Sequence, residues 1–78
     1  MEVSLRKMIK NQKGLVKKIK ASGALGLRIR EMGIIPGAEL KMVGEAPLYD
    51  PVAIKVKDTK VTLRNNEADC IFVEVSGD

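Results

Sequence analysis

The chain contains no histidine and no tryptophan, one cysteine, and two aromatic residues, Tyr49 and Phe72. Each shortage closes off a chemistry. Without histidine, the commonest general base and the commonest transition-metal ligand are both missing. A Cys–His pair and a Ser–His–Asp set are therefore excluded. Catalysis by carboxylates alone needs a converging pair, and the ten acidic residues are scattered over strand positions and turns. The sequence predicts no enzyme. Cys70 cannot close an intrachain disulfide, which suits a reducing compartment. It stands just before an apolar run, where a small core residue is expected rather than a nucleophile.

Other absences narrow the partners. A transition-metal ion would want histidine, thiolate or a carboxylate cluster, and Asp50, Asp58, Glu67 and Asp69 have no spacing that builds one. They read as turn and cap residues, so no metal site is expected. Gly23-Ala24-Leu25-Gly26 lacks the Lys-Ser/Thr that a phosphate loop requires, and no cofactor is expected. No run approaches the roughly 18–20 apolar residues of a membrane span, and the N-terminus lacks a signal-peptide stretch. A cytoplasmic location is expected.

What remains is short and basic. Seventy-eight residues allow one domain, over 1–78, with a thin core that buries about 60–65% of the unfolded surface. Net charge is +4, unevenly spread. Residues 1–30 carry nine basic groups against Glu2 alone, a balance of +8; residues 31–78 carry five basic and nine acidic, a balance of −4. Such a basic face fits phosphate, anionic lipid or an acidic protein surface, or is simply a solvated surface. A nucleic-acid-binding barrel using Lys17, Lys18 and Lys20 is one alternative. Single-strand binders need aromatic stacking platforms, which this chain scarcely has, so no stable nucleic-acid complex is expected.

Hydropathy patterning predicts a mainly β fold. Residues 14–20 read as a first strand whose inward Val16 and Ile19 lie three apart, implying a bulge. Leu25, Ile29 and Met32 share one face of a helix over 24–32, ended by Gly33. Pro36-Gly37 predicts a tight turn. Leu40 and Met42 alternate with Glu39 and Lys41; Val52, Ile54 and Val56 alternate with Ala53, Lys55 and Lys57. Asp58-Thr59 reads as a two-residue turn into a strand over 60–64, making a hairpin. Residues 65–70 suggest a helical turn with an asparagine cap, and 71–75 a last strand. About five strands, one early helix and a late helical turn predict a small closed barrel, which protects its strand edges.

By elimination the chain is a binding module, and two surfaces offer themselves. The loop over 46–51 carries Leu48 and Tyr49 between two prolines that lower the ordering cost of binding. Tyr49 either anchors a partner or covers the barrel end. The helix leaves Leu27, Arg28, Arg30 and Glu31 outward, so Leu27 beside two arginines forms a docking patch, although lone surface leucines are common. A weak homo-oligomer is compatible with these surfaces.

The chain resembles the FeoA domain family. The residues that carry the likeness are Ser4-Leu5, the run from Lys13 to Ile19, Arg28-Ile29-Arg30-Glu31-Met32-Gly33-Ile34-Ile35-Pro36-Gly37, Ala46-Pro47-Leu48-Tyr49-Asp50-Pro51-Val52, and the run from Val61 to Ala68. The likeness spans about residues 4–75. It implies an SH3-like barrel and a cytoplasmic partner of FeoB, the ferrous-iron transporter with a G domain. It also implies, as an alternative, a regulatory domain like that of iron-responsive repressors. Stimulation of the partner's GTP hydrolysis through Arg28, Arg30 or Arg64 acting as an arginine finger follows from the same likeness. Where Tyr49 stands, the family usually has glycine.

Overall fold

The computed structural model describes residues 1–45 and 51–75, with Glu45 by its backbone alone. Leu48 and Tyr49 therefore lie outside the described residues, as does most of their loop. Six strands form one antiparallel sheet: β1 (Glu2–Ser4), β2 (Lys13–Ile19), β3 (Glu39–Glu45), β4 (Val52–Val56), β5 (Thr59–Leu63) and β6 (Ile71–Val75). A 3₁₀ turn (Leu5–Lys7) follows β1. Helix α1 (Gly23–Glu31) follows β2, and the single-turn α2 (Asn65–Ala68) precedes β6. The strand order is β1-β6-β2-β3-β4-β5.

Among the described residues β1 and β5, at the two ends of the order, do not pair, so the sheet is open where full closure was expected. The five expected strands are all present, and β1 is the sixth. Its edge is held at the other end of the chain, where Glu2, Val3 and Ser4 pair with Glu74, Val73 and Phe72. The predicted bulge in β2 lies between Val16 and Lys18 of the β2–β6 ladder. It lets Val16, 1% exposed, and the half-buried Ile19 both face inward.

The core fills the concave face of the sheet. Val52, Ile54 and Val56 from β4 and Ile71, Val73 and Val75 from β6 are all buried, as the period-two pattern requires. Leu5, fully buried, enters from the 3₁₀ turn. Ile29 enters from α1, flanked by half-buried Leu25 and Met32. The helix stops one residue before the expected end: Met32 is its C-cap, and Gly33 takes φ +90° with its N–H on the Arg30 carbonyl at 2.9 Å. The turn at Pro36-Gly37 is closed by the Ala38 N–H on the Ile35 carbonyl at 3.0 Å.

Two local expectations need correction. The β4–β5 turn is Lys57-Asp58, one residue earlier than Asp58-Thr59, with φ of 49° and 66°. Two positive-φ residues make the mirror-image turn that matches strand twist. Asp58 tolerates that conformation, while β-branched Thr59 pairs with Val56 instead. The cap of α2 is Arg64 rather than an asparagine: Asn65 is already helical, and the Glu67 side chain accepts the Arg64 N–H at 2.9 Å.

Candidate functional site

The outward residues of α1 lie where the helical period places them. Leu27 is 56% exposed, and Arg28, Arg30 and Glu31 are exposed beside it. The two arginines diverge. Arg30 lies near the α1 backbone, its Nη1 3.5 Å from where a side chain on Gly26 would begin. Arg28 reaches across to α2, where its Nε stands 3.4 Å from Oε2 of Glu67.

Glu67 was expected only as a cap or turn residue, yet it organises this corner. Its residue exposure is 3%, and it is the buried charged residue among those described. A buried carboxylate is costly unless its oxygens are satisfied. Here Oε1 takes the Arg64 backbone N–H and Oε2 faces the Arg28 guanidinium. The pair fastens α1 to the first turn of α2. A signal for it is present in the sequence: Glu67 follows Arg64 by three, the spacing of a capping box, with arginine where serine or threonine usually stands.

Beside this pair lies a cleft of about 260 Å³ lined by Arg28, Pro51, Thr62, Leu63, Arg64 and Glu67. Arg28 and Arg64, from α1 and the end of β5, thus meet at one opening, while Arg30 does not line it. Pro51 is the last residue of the loop that carries Leu48 and Tyr49, so the loop returns to the sheet at the rim of this cleft. With its guanidinium in an ion pair with Glu67 and 68% of the side chain exposed, Arg28 has donors to offer an outside acceptor. The cleft can therefore take an acidic or carbonyl-bearing group from a partner, with Leu27 as an apolar neighbour on the same helix.

A second cationic group lies across β2 and β6. The Lys18 and Lys20 ammoniums stand 5.4 and 5.2 Å from the centre of the Phe72 ring, and Lys18 also pairs with Glu2 at 3.1 Å. Lys17, grouped with them in the sequence, contacts Glu74 only through its field, which helps lower that residue's pKa. The larger cause is a hydrogen bond from the Met1 ammonium to the Glu74 carboxylate, which holds the carboxyl below the ordinary glutamate range.

The expected turn and cap carboxylates are in such places. Asp58 sits in the β4–β5 turn, and Asp69 caps α2 while accepting Arg6 Nη1 at 3.0 Å. Asp50 lies outside the described residues. Among the described residues no three of Cys, Asp and Glu gather into a metal-holding group. Cys70 is half-buried against the core, its Sγ 3.4 Å from the Asn66 carbonyl. No helix among the described residues is long and apolar enough to cross a membrane.

The FeoA domain matches residues 3–75. Iron(II) transport protein A from Clostridium thermocellum superposes with a TM-score of 0.91 at 37% identity, covering 96% of this chain and 46% of that one. FeoA from Stenotrophomonas maltophilia, solved with zinc and described as a prokaryotic SH3 domain protein, superposes with a TM-score of 0.80 at 28% identity, covering 92% and 89%. The predicted SH3-like, mainly β architecture is therefore the one found. A Porphyromonas gingivalis protein named as a fusion of Fe(2+) transport protein A and the Fe(2+) transporter FeoB is 36% identical over 61 residues. That match covers 78% of this chain but only 7% of the fusion protein's length. With the fold, the matched span and these relatives in agreement, the chain belongs to the FeoA domain family of ferrous-iron transport.

Proposed function

We propose that this chain is a non-enzymatic accessory protein that binds the cytoplasmic part of a FeoB-type ferrous-iron transporter, with iron as the transporter's cargo. The single observation that carries the reading is the corner built by Leu27, Arg28, Arg64 and buried Glu67. It offers an apolar contact, free guanidinium donors and a cleft in one place. The relative in which a FeoA-type segment and FeoB share one chain supports the choice of partner, because fusion keeps two interacting domains at high effective concentration. Leu48 and Tyr49, which precede Pro51 in the sequence, are read as further partner contacts from their residue types alone. Arg30 contributes at the far side of the corner.

Co-purification with the transporter, with and without guanine nucleotide, tests the reading. The wild-type chain is expected to be retained, and Leu27→Asp and Arg28→Ala to be lost while remaining folded. Retention of both variants at wild-type level overturns the surface; failure of the wild type to bind overturns the partner. The GTP-hydrolysis arm is separate. Arg28 and Arg64, which line the cleft, are the arginines we take as candidates for that role, and Arg28→Ala should abolish any stimulation. An unchanged hydrolysis rate on adding wild-type protein ends that arm alone.

A further inference from the structure

Divided along the chain, the positive charge belongs to residues 1–30, but the folded sheet distributes it differently. The register aligns Lys13 with Lys41, Lys41 with Lys55, and Lys55 with Lys60. Four lysines therefore stand side by side across β2, β3, β4 and β5. All point away from the core: Gly14, Leu40, Met42, Ile54 and Val56 beside Lys13, Lys41 and Lys55 are buried, and exposed Lys60 adjoins Val61, which is half-buried against the core. Strands lie about 4.8 Å apart, so the row is about 14 Å long.

Like charges directly opposite on neighbouring strands are destabilising. One such pair is common; three in succession form an unfavourable arrangement. The ion pairs among the described residues are Met1–Glu74, Arg6–Asp69, Lys18–Glu2 and Arg28–Glu67, and none includes a lysine of the row. Beside it is an open depression of about 440 Å³ lined by Lys13, Lys41, Lys55 and Lys57, with Glu39 and Asp58 also on its wall. The two carboxylates leave the face net positive.

We propose that this lysine row is a docking face for an anionic bilayer surface. Charge complementarity selects an anionic occupant, and the form of the face selects a bilayer. The row runs across four strands of one sheet surface, and three of its lysines line a broad, open depression, so the cations are offered together to an extended anionic surface rather than to an enclosed ligand. Leu15, 42% exposed, stands two residues from Lys13 on the same side of β2 and can rest at headgroup depth. Nucleic acid is disfavoured because stacking needs an aromatic ring, and Phe72 lies on β6 between Lys18 and Lys20, away from the row. Each lysine near an anionic leaflet adds about fivefold to binding, so four act together strongly while none suffices alone.

The face is opposite in logic to the α1 corner and does not rest on the transporter reading. A bilayer-docked module would simply remain close to any membrane-embedded partner.

The test uses the purified chain and vesicles, with no transporter present. Vesicles of pure phosphatidylcholine are compared with vesicles in which about a third of the lipid is phosphatidylglycerol, read by co-sedimentation. Binding is expected on the anionic vesicles alone, weakening as salt approaches physiological strength. The pair Lys55→Gln with Lys60→Gln should weaken it about thirtyfold. The pair Lys18→Gln with Lys20→Gln removes the same charge elsewhere and should weaken it far less. Thermal unfolding checks that both variants fold, and removing repulsion from the row favours this. Absence of preference for anionic vesicles overturns the proposal, as does an equal loss in the two pairs. Row-dependent binding to a single-stranded oligonucleotide without vesicle binding overturns it too. Because no transporter is in the assay, any of these results leaves the proposed partner standing.

Discussion

Removing the Glu67 side chain should cost far more stability than removing the arginine it faces. Glu67 is 3% exposed and its two oxygens have separate duties. Oε1 accepts the Arg64 N–H at 2.9 Å, a hydrogen bond to an ionised group worth about 1.5–3 kcal/mol. Oε2 faces Arg28, whose side chain is 68% exposed, so solvent screening reduces that pair to about 0.5 kcal/mol. Glu67→Ala therefore loses about 2–3 kcal/mol, whereas Arg28→Ala loses at most about 1 kcal/mol. Glu67→Gln keeps an acceptor for the Arg64 N–H and loses charge only, at about 1 kcal/mol. A domain of this size is stable by only about 4–12 kcal/mol, and each kcal/mol moves its Tm by about 4–8 °C. Calorimetry or urea unfolding of the three variants separates the terms. A loss in Glu67→Ala no larger than in Arg28→Ala would refute the reasoning, because the capping bond would then contribute nothing. So would Glu67→Gln falling as far as Glu67→Ala.

Three further outcomes follow from single features. Gly26→Ala places a methyl 2.7 Å from the Ala21 carbonyl oxygen, so despite alanine's helix propensity advantage of about 1 kcal/mol the variant should be net destabilised by about 1–2 kcal/mol; an unchanged urea midpoint rejects the close approach. Replacing the turn by Lys57→Asn with Asp58→Gly supplies residues that accept positive φ more readily, and should raise stability by about 1 kcal/mol in thermal unfolding, where a fall in Tm would contradict the turn geometry. The Glu74 carboxyl, held below the ordinary glutamate range by the Met1 ammonium, should titrate there in an NMR pH series and return to the ordinary range when the N-terminus is acetylated. A folded pKa below the unfolded one means the contribution is present above the unfolded value and is lost as pH falls through the folded value, so acetylation should flatten the acid limb of the stability curve.

The parts of the fold legible in the sequence are those set by short-range periodicity. Val52-Ala53-Ile54-Lys55-Val56 can bury one side only as a strand, and Leu25, Ile29 and Met32 can share a face only on a helix. Even the β2 bulge was readable, because two inward residues three apart leave no other solution. β1 was not, since Glu2-Val3-Ser4 is too short to alternate and becomes a strand only through β6 at the other end of the chain. The slip at Lys57-Asp58 has the same origin as the opened barrel. Backbone twist and end-strand distance are properties of the assembled sheet, and no local residue preference reports them. At the candidate site the exposure of Leu27, Arg28 and Arg30 followed from the helical period. The burial of Glu67 did not, because a carboxylate in a polar run looks solvated until α1 is laid beside it.

Charge was the feature that order along the chain described least well. Counting by halves made residues 31–78 acidic, yet three of the four lysines in the cross-strand row, Lys41, Lys55 and Lys60, come from that half. Three of the acids that outnumber them are drawn off to other places, Glu67 to the core, Asp69 to Arg6 and Glu74 to the chain's amino terminus, while Glu39 and Asp58 stand on the wall of the depression with the lysines. Each of these three is satisfied by a partner outside the row, and among the described residues no ion pair includes a lysine of the row, so like charges face one another across three strand pairs. A sheet register is fixed by its buried residues, so the outward residues inherit whatever neighbours that register assigns. Four lysines in line are thus a consequence of how the buried pairs beneath them align, Gly14 with Leu40, Leu40 with Val56 and Met42 with Ile54, together with the choice of lysine at each of the four positions. The first is forced by packing. The second is not, since threonine at Lys55 or Lys60 would suit the strand better and relieve repulsion. A surface that gives up stability at several positions for one sign of charge is best understood through what it meets.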